Sequence, residues 1–314
     1  MHATAQKPRE AWVDVARCLA MAVIMCLHAG ANPDLLGAPV GGAIALFFVL
    51  SGYFMPQEAG AAAVRALRLG LAWLLWSGIS LALYIAAQPG VEWSWAGALG
   101  IGRAAYNVPL WFLKDLCLYQ LIIAGLAALR LLPRYKWLLL VALACCTYAA
   151  EPAQHETLRF DNLPAVLLGY ALRGISLTNL RHALARHALP LLIVGMLLLL
   201  QRAYYPRLLL PELRAAASSL PVEAGVWAVW YALAGVAIVY LLPRASAIIA
   251  RAGACMLFIY AAHSLAYAPF YVMKLPTPAS IATMLALLPL LYAAHAALAR
   301  LFPRLTRLLT AKAP

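Results

Sequence analysis

Charge is scarce in this chain. Only 11% of its 314 residues are Asp, Glu, Lys or Arg, and the acids number 11 in all. A soluble domain carries about a quarter charged residues, so a mainly water-facing surface is excluded. Long polar stretches are missing as well, which leaves no room for a fused soluble domain. Residues 1–314 read as one membrane domain. The six cysteines (Cys18, Cys26, Cys117, Cys145, Cys146, Cys255) all lie in apolar segments, without metal-ligand spacing or the setting of a disulfide framework. They read as small packing residues, and no metal site is expected. The GxSxG nucleophile elbow is absent. So are a small-residue cleavage site after the first apolar run and an internal repeat of the kind that builds inverted transporter halves.

What the chain has in quantity is apolar surface: 65% of residues are hydrophobic and the mean hydropathy is +0.83. A membrane span takes roughly 20 apolar residues. Runs bounded by Pro, Gly and charge place spans near 11–29, 40–56, 66–87, 108–131, 137–150, 160–176, 188–203, 222–242, 252–272 and 280–301. The runs are long and continuous, which favours helices over a barrel of short alternating strands. The expected fold is an all-α polytopic bundle of about ten spans. With the N-terminus cytoplasmic, 17 of the 24 Lys and Arg residues fall inside, Arg173 among them, and 7 fall outside, Lys114 and Lys274 among them. Both termini are therefore expected in the cytoplasm. The net charge of +13 is spread between the apolar runs and forms no single patch, so membrane lipid is the expected partner and nucleic acid is not.

The first apolar run contains Asp14, Arg17 and His28, and an ionisable group inside a bilayer costs from a few to over ten kcal/mol. At about 100° per residue, Arg17 and His28 face the same way, about 16 Å apart along the axis. Asp14 lies one turn before Arg17, in reach of an ion pair on that face. An anchoring ion pair at the interface, with His28 capping the outer end of the helix, accounts for all three residues, and so does a functional stripe.

Further polar positions recur along the chain. ALFFVLSGYF (45–54) carries Ser51, Gly52 and Tyr53; Ser51 and Gly52 suit close helix packing or local hydrogen bonding. Arg65 and Arg68 sit at i, i+3 near the inner boundary, as ordinary positive-inside charge or as a guanidinium pair suited to phosphate oxygens. NVPLWFLKDLCLY (107–119) holds Trp111 at an interfacial position, followed by Lys114 and Asp115. Those two point about 100° apart on a helix, so their partners are expected on other helices. FIYAAHSLAY (258–267) carries His263, a type that commonly hydrogen-bonds between helices.

Taken in order, Asp14, Arg17 with His28 eleven positions on, FFVLSGY, the Arg65/Arg68 pair, PLWFLKDL and IYAAH resemble the acyltransferase-3 family of membrane proteins. The branch it most resembles acylates surface polysaccharides. One departure is Arg17-Cys18, where the family often has Arg-Gly, a position that is structural. The resemblance implies transfer of an acyl group, usually acetyl, from cytoplasmic acetyl-CoA to a hydroxyl of a surface or lipid-linked glycan, in a bacterial inner membrane. The CoA thioester is then a co-substrate, and no tightly bound cofactor is implied. His28, supported by Asp14 and Arg17, would serve as general base or as an acyl-accepting nucleophile. Arg65 and Arg68 would meet the CoA phosphates, with Ser51, Tyr53, Trp111, Lys114, Asp115 and His263 lending substrate or structural support. Aromatic residues of the outer loops (Trp93, Trp95, Tyr106, Tyr204, Tyr205) suit interfacial anchoring or stacking on sugar rings. The competing class is a polytopic transporter or flippase, in which Asp14, Arg17 and His28 would form a proton or substrate pathway.

Overall fold

A lipid-facing backbone must satisfy its own N–H and C=O groups, and a helix does so within one segment. The computed structural model of the chain follows that rule. It describes residues 10–31, 33–88, 92–99, 107, 109–149, 162–187, 189, 190, 193, 196, 220–253 and 255–311, among which there is no strand. In chain order the helices are α1 (Ala11–His28), α2 (Pro33–Tyr53), α3 (Ala59–Ala87), the short α4 (Trp95–Ala98), α5 (Leu110–Ala128), α6 (Leu131–Ala149) and α7 (Leu163–Ala171). After the 3₁₀ turn Leu172–Gly174 come α8 (Leu177–Ala185), α9 (Leu220–Leu241), α10 (Pro243–Gly253), α11 (Met256–Val272), α12 (Thr277–Leu301) and α13 (Pro303–Leu309).

Among the described residues five helices (α1, α2, α3, α5 and α12) are long and apolar enough to cross a membrane. The number rises to as many as seven if two bent helix pairs each count as one span. That is fewer than the ten spans expected. The span expected at 188–203 lies almost wholly outside the described residues. The one expected at 137–150 belongs to α6, whose start carries Arg134 and Lys136. The span expected at 160–176 is broken, because α7 stops at Ala171 and Ser176 caps a new helix by accepting from the Asn179 N–H.

The chain divides into two compact units. The first gathers Met1–Ile24, Asn32–Ile44 and Ile175–Met256, and the second Met25–Ala31, Ala45–Gly174 and Leu257–Pro314. In the first unit, Glu10 ahead of α1 accepts from Thr178 and pairs with Arg181 of α8 at 3.4 Å. The Tyr231 hydroxyl of α9 donates to the Pro39 carbonyl of α2 at 3.1 Å. In the second unit, the Cys117 thiol meets the Ala66 carbonyl and Asn107 meets Ser80, so α3 and α5 run antiparallel. Trp76 of α3 donates to the Leu309 carbonyl of α13 at 3.2 Å, and its ring lies 5.5 Å from Phe258 of α11.

Without a hydrophobic force between helices in lipid, close packing needs small residues. The tightest crossing of the second unit is glycine against backbone on both sides. A Cβ on Gly52 of α2 would run into the Val166 carbonyl of α7, and one on Gly169 of α7 would run into the Val49 carbonyl of α2. The packing role expected of Gly52 is thus met. Gly52→Ala should cost about 1–3 kcal/mol by overpacking. Gly78→Ala, at a glycine with nothing within 4 Å of a new Cβ, should be neutral or stabilising. Thermal unfolding of both variants in detergent checks this, and equal midpoints would refute the crossing.

Candidate functional site

α1 is unbroken from Ala11 to His28 and carries the stripe read from the sequence. Within the first unit, Asp14 is buried and accepts from Arg17 Nη1 at 3.2 Å, one helical turn on. This is the i, i+3 pair expected from spacing. The same turn is clasped by two glycines. A Cβ on Gly253 of α10 would strike the Asp14 carbonyl, and one on Gly235 of α9 would strike the Trp12 carbonyl. The backbone around the ion pair is therefore enclosed by neighbouring backbone, with no side chain in between.

In the second unit, His28 ends α1 beside His263 of α11. The ring centroids are 5.2 Å apart and the planes are tilted by 48°. His263 is fully buried and His28 exposed. His263 Nδ1 lies 2.7 Å from the Tyr260 carbonyl oxygen. That oxygen can only accept, so Nδ1 carries the hydrogen and Nε2 bears the lone pair of the neutral ring. Ser264 Oγ is 3.5 Å from that Nε2. A cavity of about 360 Å³ opens beside His28, walled by Tyr267, Phe270, Lys274 and Thr277.

Asn107 holds this end of the unit together. It is buried, and its Nδ2 donates to Ser80 Oγ of α3 at 3.2 Å and to the Ala261 carbonyl of α11 at 3.0 Å. The level of His263 is thereby fixed against the late part of α3. Arg65 lies near the start of α3, and from Arg65 to Ser80 the helix advances about 22 Å. The imidazole pair and the arginines thus lie at opposite ends of the second unit. Arg65 Nη1 donates to the Phe54 carbonyl just past α2. Arg173 Nη1 donates to the Pro56 carbonyl at 3.4 Å, and its guanidinium lies 4.7 Å from the Tyr170 ring centroid. Arg65 and Arg173 therefore hold one turn, Phe54–Pro56. Arg68 lies one helical turn beyond Arg65, partly exposed.

Between the two ends runs a buried core of aromatic and polar groups. Tyr260 lies 4.9 Å from Phe112, Phe112 4.6 Å from Phe48, and Phe48 5.4 Å from Tyr119, all centroid to centroid. Gln120 Nε2 donates to Ser51 Oγ at 2.6 Å, so the hydrogen bond of Ser51 runs between helices where a local one was expected. Tyr53 is buried with its ring 5.1 Å from that of Phe54, and Trp111 is half-buried with its ring 6.1 Å from Phe112.

Lys114 and Asp115 meet directly, a pair their spacing argues against, while Asp115 also acts electrostatically on Tyr260 of α11, a partner on another helix as expected. Their side chains leave the helix in different directions, yet Lys114 Nζ lies 3.6 Å from Asp115 Oδ1. The four-carbon lysine stem bends back to its neighbour because Asp115 is fully buried, and a buried carboxylate is costly without a cation.

Trp93 and Trp95 are exposed with rings 5.1 Å apart, whereas Tyr106, Tyr204 and Tyr205 lie outside the described residues. Among the described residues no set of three His, Cys, Asp or Glu side chains could hold a metal ion. Asn107, Gln120 and Arg173 had no signal in the sequence as site-building residues. A lone amide or arginine acquires such a role only through the residues folding places beside it.

The model of the acyltransferase-domain family matches residues 10–300. The chain belongs to the acyltransferase-3 family. No curated protein and no solved structure matches it. By family membership it is an integral-membrane acyltransferase, and the imidazole lining its cavity is His28, with buried His263 beside it. His263→Phe keeps the ring and removes both nitrogens. It should retain expression and thermal stability close to wild type while lowering acyl transfer by about 10²-fold or more. Near-normal transfer by that variant would reduce His263 to packing.

Proposed function

We propose that this protein transfers an acyl group, acetyl foremost, from cytoplasmic acyl-CoA to a hydroxyl of a surface or lipid-linked glycan, in a bacterial cytoplasmic membrane. The observation that carries the reading is that, within one unit, the arginines lie near the start of α3 and the imidazole pair lies toward the level of Ser80, about 22 Å further along that helix, which Asn107 ties to α11. Guanidinium groups are the side chains best suited to phosphate oxygens. Arg65 and Arg68 meet the CoA phosphates in this reading, with Arg173 holding the same turn. The pantetheine arm then reaches into the bundle and carries the thioester toward His28, part-way across a core about 30 Å thick.

The chemistry is one acyl exchange. The acceptor oxygen attacks the thioester carbonyl while His28 takes the hydroxyl proton. A C–O bond forms, the C–S bond breaks, and the proton passes from His28 to the departing CoA thiolate. His263, fixed by the Tyr260 carbonyl, is a positioning residue that orients the His28 ring. The Asp14–Arg17 pair, clasped by Gly235 and Gly253, steadies the helix that presents His28.

His28→Ala, assayed in membranes at matched protein level, should lose acyl transfer by about 10²–10⁴-fold, and near-normal transfer would remove His28 from the mechanism. The double variant Arg65→Ala/Arg68→Ala should weaken CoA binding by about tenfold or more, the scale of one lost charge-assisted hydrogen bond. Unchanged affinity in equilibrium binding would remove the arginines from the donor site.

A further inference from the structure

The cavity beside His28 has a chemical character of its own. Its volume, about 360 Å³, is near the lower end of small-molecule sites, which run roughly 300–1,000 Å³. That suits the end of a glycan better than a folded chain. Tyr267 and Phe270 form an aromatic wall with ring centroids 6.1 Å apart and planes inclined by 30°, a surface on which the apolar face of a sugar ring can lie. Thr277 supplies a hydroxyl, and Lys274 supplies the one ammonium group of the lining, which contains no carboxylate. Among the described residues Lys274 makes no ion pair.

The turn that carries Lys274 is held in place. Lys274 takes a left-handed backbone conformation (φ 50°) just past the end of α11. Ser280 of α12 then pins the following residues, its hydroxyl donating to the Leu275 carbonyl at 3.1 Å and its N–H to the Pro276 carbonyl at 2.9 Å. The ammonium therefore stands on a fixed base at a cavity whose other reactive edge is His28. Lys274 is exposed, so its ammonium can reach a ligand from the water side, and an anionic acceptor gains a charge-assisted contact there that a neutral one does not.

We propose that this cavity binds the acceptor saccharide, and that the acceptor carries a carboxylate or phosphate held by Lys274 while a hydroxyl of the same saccharide reaches His28. This rests on the acyl-transfer reading and deepens it by naming the acceptor class.

The test uses the full chain in phosphatidylcholine nanodiscs with radiolabelled acetyl-CoA and three acceptors: cellobiose, its uronic-acid counterpart and its phosphate ester. Wild type should prefer the two anionic disaccharides over cellobiose in kcat/KM by about tenfold. Lys274→Gln should bring that ratio close to one, and Lys274→Glu should invert it. Calorimetric binding of the three disaccharides without donor gives the same comparison independently of turnover. Equal handling of all three by wild type, or an anionic preference that survives Lys274→Gln, overturns the proposal and leaves Lys274 as an interfacial anchor. The preference for uronic acid or phosphate ester identifies the anion. Lys274-dependent binding of the anionic disaccharides with no CoA release and no acetylation would instead overturn the acyl-transfer reading and leave the anion site standing.

Discussion

A bilayer core offers no water to a polar side chain, so each one placed there must find its partner inside the protein. That constraint organises this structure. Asp14 is buried and meets Arg17 one turn away. Asp115 is buried and draws back the lysine beside it. Ser51 accepts from Gln120, and Asn107 ties α3 to α11. The helices that carry most of these groups are also the most enclosed. The spanning windows of α1, α2 and α5 are 56%, 61% and 50% buried, against 28% for α3 and 22% for α12. The helices with few polar groups to satisfy are the less enclosed ones.

Enclosure of this kind costs space, and glycine provides it. At the α2–α7 crossing and around the first turns of α1, neighbouring backbones come so close that a single methyl group would not fit. His28 is set apart from the buried polar residues by its exposure, at an end of α1 beside a cavity. An ionisable side chain that is exposed beside a cavity and backed by a buried, tautomer-fixed imidazole has the arrangement expected of a group that exchanges protons with a bound ligand.

Much of this was legible in the sequence wherever the determining interaction is local. The bounds of the first apolar run placed α1 to within a residue of its end, and helical spacing joined Asp14 to Arg17, since both depend only on one stretch of chain. Local cues misled where tertiary packing decides. Gly37, Pro39, Gly41 and Gly42 look like breakers, and α2 was expected to begin near residue 40. It begins at Pro33 and runs through Pro39, because an unpaired backbone in this setting costs more than a proline in a helix. The Lys114–Asp115 pair was missed because angular spacing ignores the reach of a lysine stem. The meeting of His28 with His263, and of Asn107 with both α3 and α11, joins residues far apart in the chain. No periodicity encodes such a pair; the family's ordered motifs hinted that His28 and His263 belong together, and nothing did so for Asn107.

The central claim is that donor and acceptor meet at His28 from opposite sides of the membrane. The direct measurement encloses the acceptor disaccharide inside proteoliposomes of uniformly oriented protein and adds radiolabelled acetyl-CoA only outside. The account predicts label on the enclosed disaccharide, with CoA recovered outside and the vesicles intact. Acetylation that occurs only when donor and acceptor share one compartment would contradict it.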